Sequence, residues 1–125
     1  MVAAIQVLED GISNVVILFT SDGADAEDGV LKVDVSALDP PCARLRIMKA
    51  KWGVSAGTTG VSVLWDADTD DLAWQFPSET SGDVEFVDIG GLQNPQSDGW
   101  TGDVLFTSEA DTIYTIVLWM KKKPD

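Results

Sequence analysis

Histidine is absent from this 125-residue chain, and its absence removes most common catalytic arrangements. Histidine is the usual general base near neutral pH, the commonest zinc ligand and the partner that activates a serine or cysteine nucleophile. The single cysteine, Cys42, has no such partner, so we interpret it as a small half-buried side chain. No phosphate-binding Gly-x-x-x-x-Gly-Lys run and no dinucleotide-binding glycine pattern occurs. We therefore predict that the protein is not an enzyme.

Paired carboxylates are the catalytic chemistry that remains, because glycosidases use two acids that flank the scissile bond. Glu79 and Glu85 flank a predicted turn near Trp74. A glycosidase is therefore one hypothesis, and it requires two acids roughly 5 to 10 Å apart in a cleft. The alternative is that both are solvated hairpin carboxylates that discourage edge-to-edge aggregation.

Alternating carboxylates form the densest acidic loop, from Asp66 to Asp71. Oxygen ligands at such spacing suit a hard cation such as Ca²⁺. The EF-hand pattern fails, since its glycine position holds Asp71 and its bidentate acid position holds Pro77. An acidic solvated turn is the alternative. We predict no cofactor and no metal, and keep Asp66, Asp68 and Asp70 as the candidate ligands if Ca²⁺ is bound.

Five tryptophans indicate contact surfaces, because an indole ring supplies a large apolar area with a polar handle. Trp65 and Trp119 lie within apolar runs, so we predict that both are core residues. Trp100 lies in the loop Gln96–Gly102, where it is either an exposed anchor or a cap on the core. Trp74 is intermediate between these cases.

Cations are concentrated in two segments, although acidic residues outnumber them by 21 to eight. Basic patches on so acidic a protein favour contact with the acidic surface of another copy or another protein. The second segment, Lys121–Lys123, is interpreted as the start of a short solubilising tail over Lys121–Asp125. The first segment supplies four interface candidates, which are Arg44, Arg46, Lys49 and Lys51.

An almost continuous apolar run, Ile113–Met120, precedes that tail. A strand that is apolar on both faces is expected at the centre of a sheet or under a neighbouring subunit. Trp100 and part of this strand are therefore further interface candidates. The candidates within the strand are Tyr114, Ile116, Leu118 and Met120.

Short β-strands are the elements that must position these residues. Alternating or apolar runs are separated by clusters of Gly, Pro, Asp and Ser. In Val30–Ser36, for example, Leu31 and Val33 take one face while Lys32 takes the other. The sequence predicts an all-β fold, an antiparallel, jelly-roll-like β-sandwich of about nine strands that forms a single domain over residues 1–125. The runs are Ala4–Leu8, Ser13–Thr20, Val30–Ser36, Ala43–Trp52, Gly60–Trp65, Leu72–Phe76, Val84–Ile89, Asp103–Thr107 and Thr112–Met120.

Strict alternation fails within Cys42–Trp52, because it places the first two of the four cations on one face and the last two on the other. A one-residue bulge near Met48 would return all four to one face. The same bulge would return Ala50 and Trp52 to the apolar face. We predict that bulge.

The net charge of −13 favours solubility and repels nucleic acid, whose phosphates bind clustered cations. Met1–Asp10 lacks a cationic stretch followed by an apolar one, so we expect no secretory signal. The longest strictly apolar run, Val15–Phe19, is too short for a membrane helix, which takes about 20 residues. We expect synthesis in a cytoplasm, with no nucleic-acid partner and no membrane partner.

The strand pattern is rich in Gly, Asp and Thr, with stretches such as Gly60–Trp65 and Gly102–Thr107, and we expect neither a signal peptide nor an intrachain disulfide. In the strand pattern, and in the expected absence of a signal peptide, it resembles the small all-β head decoration or cement proteins of tailed bacteriophages. The resemblance implies a protein that assembles on a capsid lattice as a trimer or monomer and stabilises the shell.

Two hypotheses from different classes follow. The first is a non-enzymatic virion component, assembled in the host cytoplasm, that decorates a phage capsid. Its partners are the capsid protein, other copies of itself, or both, and a trimer is the favoured homo-oligomer. The second is a carbohydrate-binding jelly roll, with Trp74 or Trp100 as a stacking platform and Ca²⁺ held by the Asp66–Asp71 loop.

Overall fold

A computed structural model describes residues 3–23, 26–55 and 59–123. Within these ranges the helical segments are two three-residue 3-10 turns, and no helix is long and apolar enough to cross a membrane. The 3-10 turns are Val35–Ala37 and Val87–Ile89. The strands are β1 (Ala3–Asp10), β2 (Asn14–Ser21), β3 (Glu27–Val33), β4 (Arg44–Ser55), β5 (Val61–Trp65), β6 (Asp71–Phe76), β7 (Thr80–Glu85), β8 (Leu92–Gln93), β9 (Val104–Ser108) and β10 (Ile113–Lys123).

The strands form two antiparallel sheets. Sheet A has the order β1-β2-β10-β4-β7, with β8 also paired to β4, and sheet B has the order β3-β9-β5-β6. When β1 and β8 are set aside, the remaining eight strands follow the orders 1-8-3-6 and 2-7-4-5, which is the arrangement of a jelly roll. The predicted antiparallel β-sandwich is confirmed, with the two-residue strand β8 as the additional strand. The seventh predicted run, Val84–Ile89, was placed too late, because β7 is Thr80–Glu85 and Val87–Ile89 forms a 3-10 turn.

The core lies between the sheets, because alternate residues of each strand point inward. The rings of Phe19 in sheet A and Phe106 in sheet B are 4.7 Å apart between centroids, so they join the two layers. Trp65 is 2 % exposed, as expected for a core residue.

The predicted bulge in β4 is confirmed. Trp119 of β10 lies opposite Lys49 and Met120 lies opposite Ile47, so Met48 is an extra residue in β4. The bulge reverses the alternation, which allows apolar side chains before and after it to point inward. These inward side chains are all 3 % exposed or less: Leu45, Ile47, Ala50 and Val54.

The third strand begins earlier than its alternation predicted, at Glu27 rather than Val30. It also ends earlier, because the Asp34 carboxylate accepts hydrogen bonds from the amide and the hydroxyl of Ser36 and caps the following 3-10 turn. The register shifts between Leu31 and Val33, and Lys32 is buried rather than on a solvated face. The prediction for Lys32 was therefore wrong.

The C-terminal cations also differ from expectation. β10 continues to Lys123, so Lys121–Lys123 belongs to sheet A and is not a tail. Pro124 and Asp125, which complete the predicted tail, lie outside the described residues. β10 pairs with β4 over its whole length, and this pairing explains the extension, because backbone groups of the added residues find hydrogen-bond partners in β4.

Lys32 lies in a buried polar network. It forms an ion pair with Glu27, and both residues are 7 % exposed. Glu27 also accepts hydrogen bonds from the Tyr114 hydroxyl at 2.6 Å and the Ser108 hydroxyl at 3.3 Å. Burial, together with this carboxylate, raises the pKa of Tyr114. The network joins β3 and β9 of sheet B to β10 of sheet A.

Lys122 is the second buried cation, with 8 % exposure. Its ammonium group donates hydrogen bonds to the Asp10 carboxylate and to the Pro40 carbonyl, the latter at 2.9 Å. Partial burial opposes ionisation of Asp10, but the Lys122 contact and the Asp39 amide outweigh it and lower the pKa of Asp10. These contacts tie β1 and β10 to the connection between β3 and β4.

Candidate functional site

The cations outside these two buried pairs share one surface. The chain has eight Lys and Arg residues, and the six other than Lys32 and Lys122 lie on the outer side of the neighbouring strands β4 and β10. We call this surface the cationic face. Its members are Arg44, Arg46, Lys49, Lys51, Lys121 and Lys123.

Two features of the backbone build the cationic face. The bulge at Met48 sets the cations on either side of it to the outer face, as the sequence predicted. The register then brings the two basic segments together, with Arg46 opposite Lys121 and Arg44 opposite Lys123. Like charges directly opposite each other in an antiparallel pair are destabilising. This like-charge pairing opposes folding, although Arg46 also donates a hydrogen bond to the Gly90 carbonyl at 3.4 Å.

Trp119 lies at the centre of the cationic face and is half-buried. On the outer side of sheet A it stands between Val16 of β2 and Lys49 of β4. The Lys49 ammonium is 5.0 Å from the centroid of the indole ring, a distance typical of a cation–π contact. The prediction that Trp119 is a core residue was wrong, because its neighbours Leu118 and Met120 take the inner face of β10.

Carboxylates of β7 border one side of the cationic face. Glu85 lies opposite Lys49, and Asp83 lies opposite Lys51. The Lys49 and Glu85 charged atoms are 3.8 Å apart, and the Glu85 side chain is 65 % exposed. So exposed an ion pair contributes at most about 1 kcal/mol to stability. The face remains positive because its six cations outnumber these two carboxylates.

Negative charge is concentrated where the loops that connect the strands of sheet B meet. Asp103 accepts a hydrogen bond from the Val35 amide at 3.0 Å. Burial raises the pKa of Asp103, and the negative charges of Asp34 and Asp66 raise it further. The molecule therefore carries a positive face on sheet A and a carboxylate cluster elsewhere.

The four candidates on the inner side of β10 are core residues. Tyr114, Ile116, Leu118 and Met120 are each 2 % exposed or less. The prediction that these four residues contact a partner was wrong, because their side chains point towards sheet B. A partner can reach the other face of the same strand, where Val117 and Trp119 are half-buried.

The other aromatic candidates lie away from the cationic face. Trp100 is half-buried in the connection between β8 and β9, where its amide donates to the Ser97 carbonyl at 3.0 Å. Trp74 is half-buried and packs edge-on against Phe86, with 4.8 Å between ring centroids. Neither ring contributes to the charged surface that the cations form.

The candidate calcium ligands hold their own loop together. Asp66 accepts a hydrogen bond from the Thr101 hydroxyl at 2.7 Å, and Asp70 accepts one from the Ala67 amide at 3.1 Å. The Asp68 amide donates to a carbonyl of the neighbouring loop at 2.9 Å. Among the residues that the structure describes, no group of three or more acidic or cysteine side chains is arranged to hold a metal ion.

The two acids suggested for glycoside cleavage lie far apart. Glu79 precedes β7 and Glu85 ends it, and the strand between them is extended. Six residues of extended chain span about 20 Å, which is beyond the separation that the glycosidase mechanism uses. The pairing of these two residues in one catalytic site was therefore wrong. Glu79 instead borders a shallow depression of about 490 Å³ at one end of sheet A.

Sequence reasoning missed Trp119, Lys121 and Lys123 as members of one surface. Alternation along β10 divides its residues between two faces, and the series that starts at Ile113 and points outward continues to Lys123. The three consecutive lysines do not show which face is outside, because Lys122 is buried on the inner side. The register with β4 is needed to assign the face.

Comparison with known proteins adds no relative from which a function could be transferred. No protein-family model matches the chain, and a search of the curated proteins finds no significant match. The function is therefore argued from the fold and from the cationic face.

Proposed function

We propose that this protein is a non-enzymatic structural protein that binds an acidic protein surface through the cationic face. We further propose that this surface belongs to a phage capsid, which the protein decorates and stabilises as a component of the virion. The observation that carries the proposal is that all six cations outside the buried ion pairs lie on one side of two adjacent strands.

Charge complementarity supports a partner that is acidic. The net charge of −13 repels an acidic surface from most directions, whereas the cationic face attracts it. Such a distribution orients the protein during encounter. Trp119 provides an apolar anchor among the cations, in keeping with the aromatic and Arg enrichment of protein interfaces.

The same charges favour a protein partner over a nucleic acid. A phosphate backbone that approached the cationic face would also meet Asp83 and Glu85 along its border. The remaining surface of the protein would repel the rest of the polymer. An acidic protein can instead present its carboxylates over a limited area that matches the six cations.

Capsid decoration also agrees with the architecture. A protein added to an assembled shell needs a rigid body and an interface surface, and it needs no catalytic cleft. The fold alone does not select this function, because jelly rolls include lectins as well as capsid proteins. The likeness to head decoration proteins adds to the argument from the cationic face.

The test is co-sedimentation with empty capsid shells from the same source as the chain. We expect the wild-type protein to sediment with the shells, and the variant Lys49→Glu/Lys51→Glu/Lys121→Glu to lose at least tenfold in affinity. The control adds negative charge at three exposed positions outside the cationic face, Thr69→Glu/Leu72→Glu/Ala110→Glu, and should show no comparable loss.

Other outcomes would reject the proposal. Equal binding by the charge-reversed variant would mean that the cationic face is not the contact. Preferential binding to duplex DNA over both shells and poly-L-glutamate beads would indicate a nucleic-acid function. Binding to a glycan array that a chelator abolishes would favour the carbohydrate-binding module.

A further inference from the structure

Sheet A is wider than sheet B at the margin formed by β1. The short connection Pro77–Glu79 joins β6 to β7 at the opposite margin of the two sheets. The terminal strand β3 of sheet B therefore lies at the same margin as β1 and β2. Because β1 extends sheet A by one strand beyond the eight of the jelly roll, its inner face projects past sheet B.

The exposure of two side chains demonstrates this projection. Ile5 lies opposite Phe19 and Val7 lies opposite Ile17, and directly opposed residues share a face of the sheet. The β2 partners are 0 % and 2 % exposed, whereas Ile5 and Val7 are 46 % and 51 % exposed. The inner apolar surface thus continues onto β1, where no other part of the described chain covers it. We call the inner face of β1 the β1 ledge.

The adjoining margin of sheet B exposes two apolar side chains next to the exposed Asp28. Val30 and Leu31 of the edge strand β3 are 39 % and 48 % exposed. The register of β3 is irregular on both sides of this pair, which limits continuous backbone pairing with an added strand. Apolar contact, rather than an extended ladder, is therefore what this margin offers to a partner.

The two margins of sheet A differ in where their charges lie. β7 carries Asp83 and Glu85, which discourage association at that edge. In β1 the acidic residues Glu9 and Asp10 are confined to the end of the strand, and Asp10 is paired with Lys122. The six residues before them have no charge, and such a partly exposed, uncharged stretch favours association with an equally uncharged surface.

We propose that the β1 ledge packs against the β1 ledge of a second copy in a two-fold dimer. Sheet A of each copy projects past sheet B and forms a step. With a two-fold axis parallel to the strands, the step of one copy fits against the same step of the other. Each β1 then occupies the space beside β3 of the other copy, and Ile5 and Val7 of the two copies face each other. Such an interface is isologous, with the same surface on both subunits.

The size of the step is compatible with a reversible dimer. A strand of eight residues is about 26 Å long and the sheets are about 10 Å apart, so the two overlapping steps bury on the order of 1,000 Å² in total. This area is near the lower limit for a specific interface. The dimer is therefore expected to depend on protein concentration.

This inference goes beyond the proposed function, because the β1 ledge and the cationic face lie on opposite sides of sheet A. The two contacts respond to salt in opposite ways. Salt screens the repulsion between two chains of charge −13 and strengthens the dimer, but it weakens attraction between the cationic face and an acidic surface.

The experiment is a sedimentation concentration series on the full chain at low and high salt. The mass should rise from 13.4 kDa towards twice that value, and it should rise at lower concentration in high salt. Ile5→Asp and Val7→Asp should each remain monomeric. Leu72→Asp, which alters a side chain 61 % exposed on β6, is the matched control and should still dimerise. Circular dichroism melting shows whether each variant is folded.

Three results would overturn the inference. One is a wild-type chain that stays monomeric throughout the series, and another is a mass of three copies. The third is a dimer that folded Val7→Asp retains. Because dimer formation is measured without capsid shells, its failure is distinguishable from failure of the proposed function.

Discussion

The two buried lysines and the cationic face place the same kind of side chain in opposite settings. The Lys32 and Lys122 side chains are 3 % and 4 % exposed, and each contacts a carboxylate. On the cationic face, Arg46 instead stands opposite Lys121, and like charges so placed lower stability. The difference shows that cations of one type occupy two environments, and it supports the proposal that the cationic face contacts another molecule.

The largest expected effect comes from breaking a buried pair. Lys32→Met leaves the Glu27 carboxylate buried without its cation, so we expect the free energy of unfolding to fall by about 3–5 kcal/mol. The matched change Lys49→Met, on the cationic face, should alter it by less than about 1 kcal/mol. Urea denaturation of both variants measures the contrast. Equal losses would contradict the division between the two groups of cations.

Removal of the tyrosine hydroxyl from the same network has a smaller effect. Tyr114→Phe removes the 2.6 Å hydrogen bond to the Glu27 carboxylate. A hydrogen bond to a charged group contributes about 1.5–3 kcal/mol, so we expect a loss of that size in urea denaturation. An unchanged free energy of unfolding would show that the hydroxyl contributes nothing to the network.

The same substitution should change the response to alkali. Folding raises the pKa of Tyr114 above its ordinary value of 10.0. The stability that this raised pKa contributes is therefore fully present below pH 10.0 and is lost as the pH rises above 10.0. We expect wild-type stability to decline more steeply above pH 10 than that of Tyr114→Phe. Parallel decline in thermal melts of the two proteins would contradict this.

Acid should weaken the second buried pair. Contact with Lys122 lowers the pKa of Asp10 below its ordinary value of 3.8, so the contribution of this group is present above 3.8 and is lost as the pH falls through the lowered pKa. Asp10→Asn should lower stability at neutral pH and reduce the acid sensitivity. Thermal melts of both proteins from neutral to low pH test this, and identical curves would count against it.

The smallest expected effect has the opposite sign. Lys121→Gln removes one member of the like-charge pair with Arg46. We expect the free energy of unfolding to rise by roughly 0.2–1 kcal/mol, because like charges directly opposite each other repel. The same variant should bind capsid shells less tightly. A variant that is both less stable and equally well bound would remove the functional interpretation of the pair.

Much of the fold could be predicted from the sequence, because alternation and turn residues identify strands locally. The alternation of cations and apolar residues breaks around Met48, and this local break is enough to locate the bulge. The face of β10 could not be assigned in the same way, because Ile116 and Val117 are both apolar and local hydropathy does not distinguish inside from outside. Only pairing with β4, whose cations define the outer side, resolves it.

The buried network shows a second limit of sequence reasoning. Lys32 follows an apolar residue in an alternating run, which predicts a solvated side chain. Its burial depends on an irregular register with β9 and on Glu27, which the predicted strand did not include. Only part of the cationic face was predicted, namely the cations of Arg44–Lys51. Lys121 and Lys123 join it through the register between β10 and β4, which is a long-range property that the local sequence does not show.

Lysine acetylation, compared between the free protein and the protein bound to capsid shells, tests the central claim most directly. We expect shells to protect Lys49, Lys51 and Lys121 from acetylation. We also expect Lys32 and Lys122 to react slowly in both states, because they are buried. If shell-bound protein leaves the exposed lysines as reactive as they are in the free protein, the cationic face is not the binding surface.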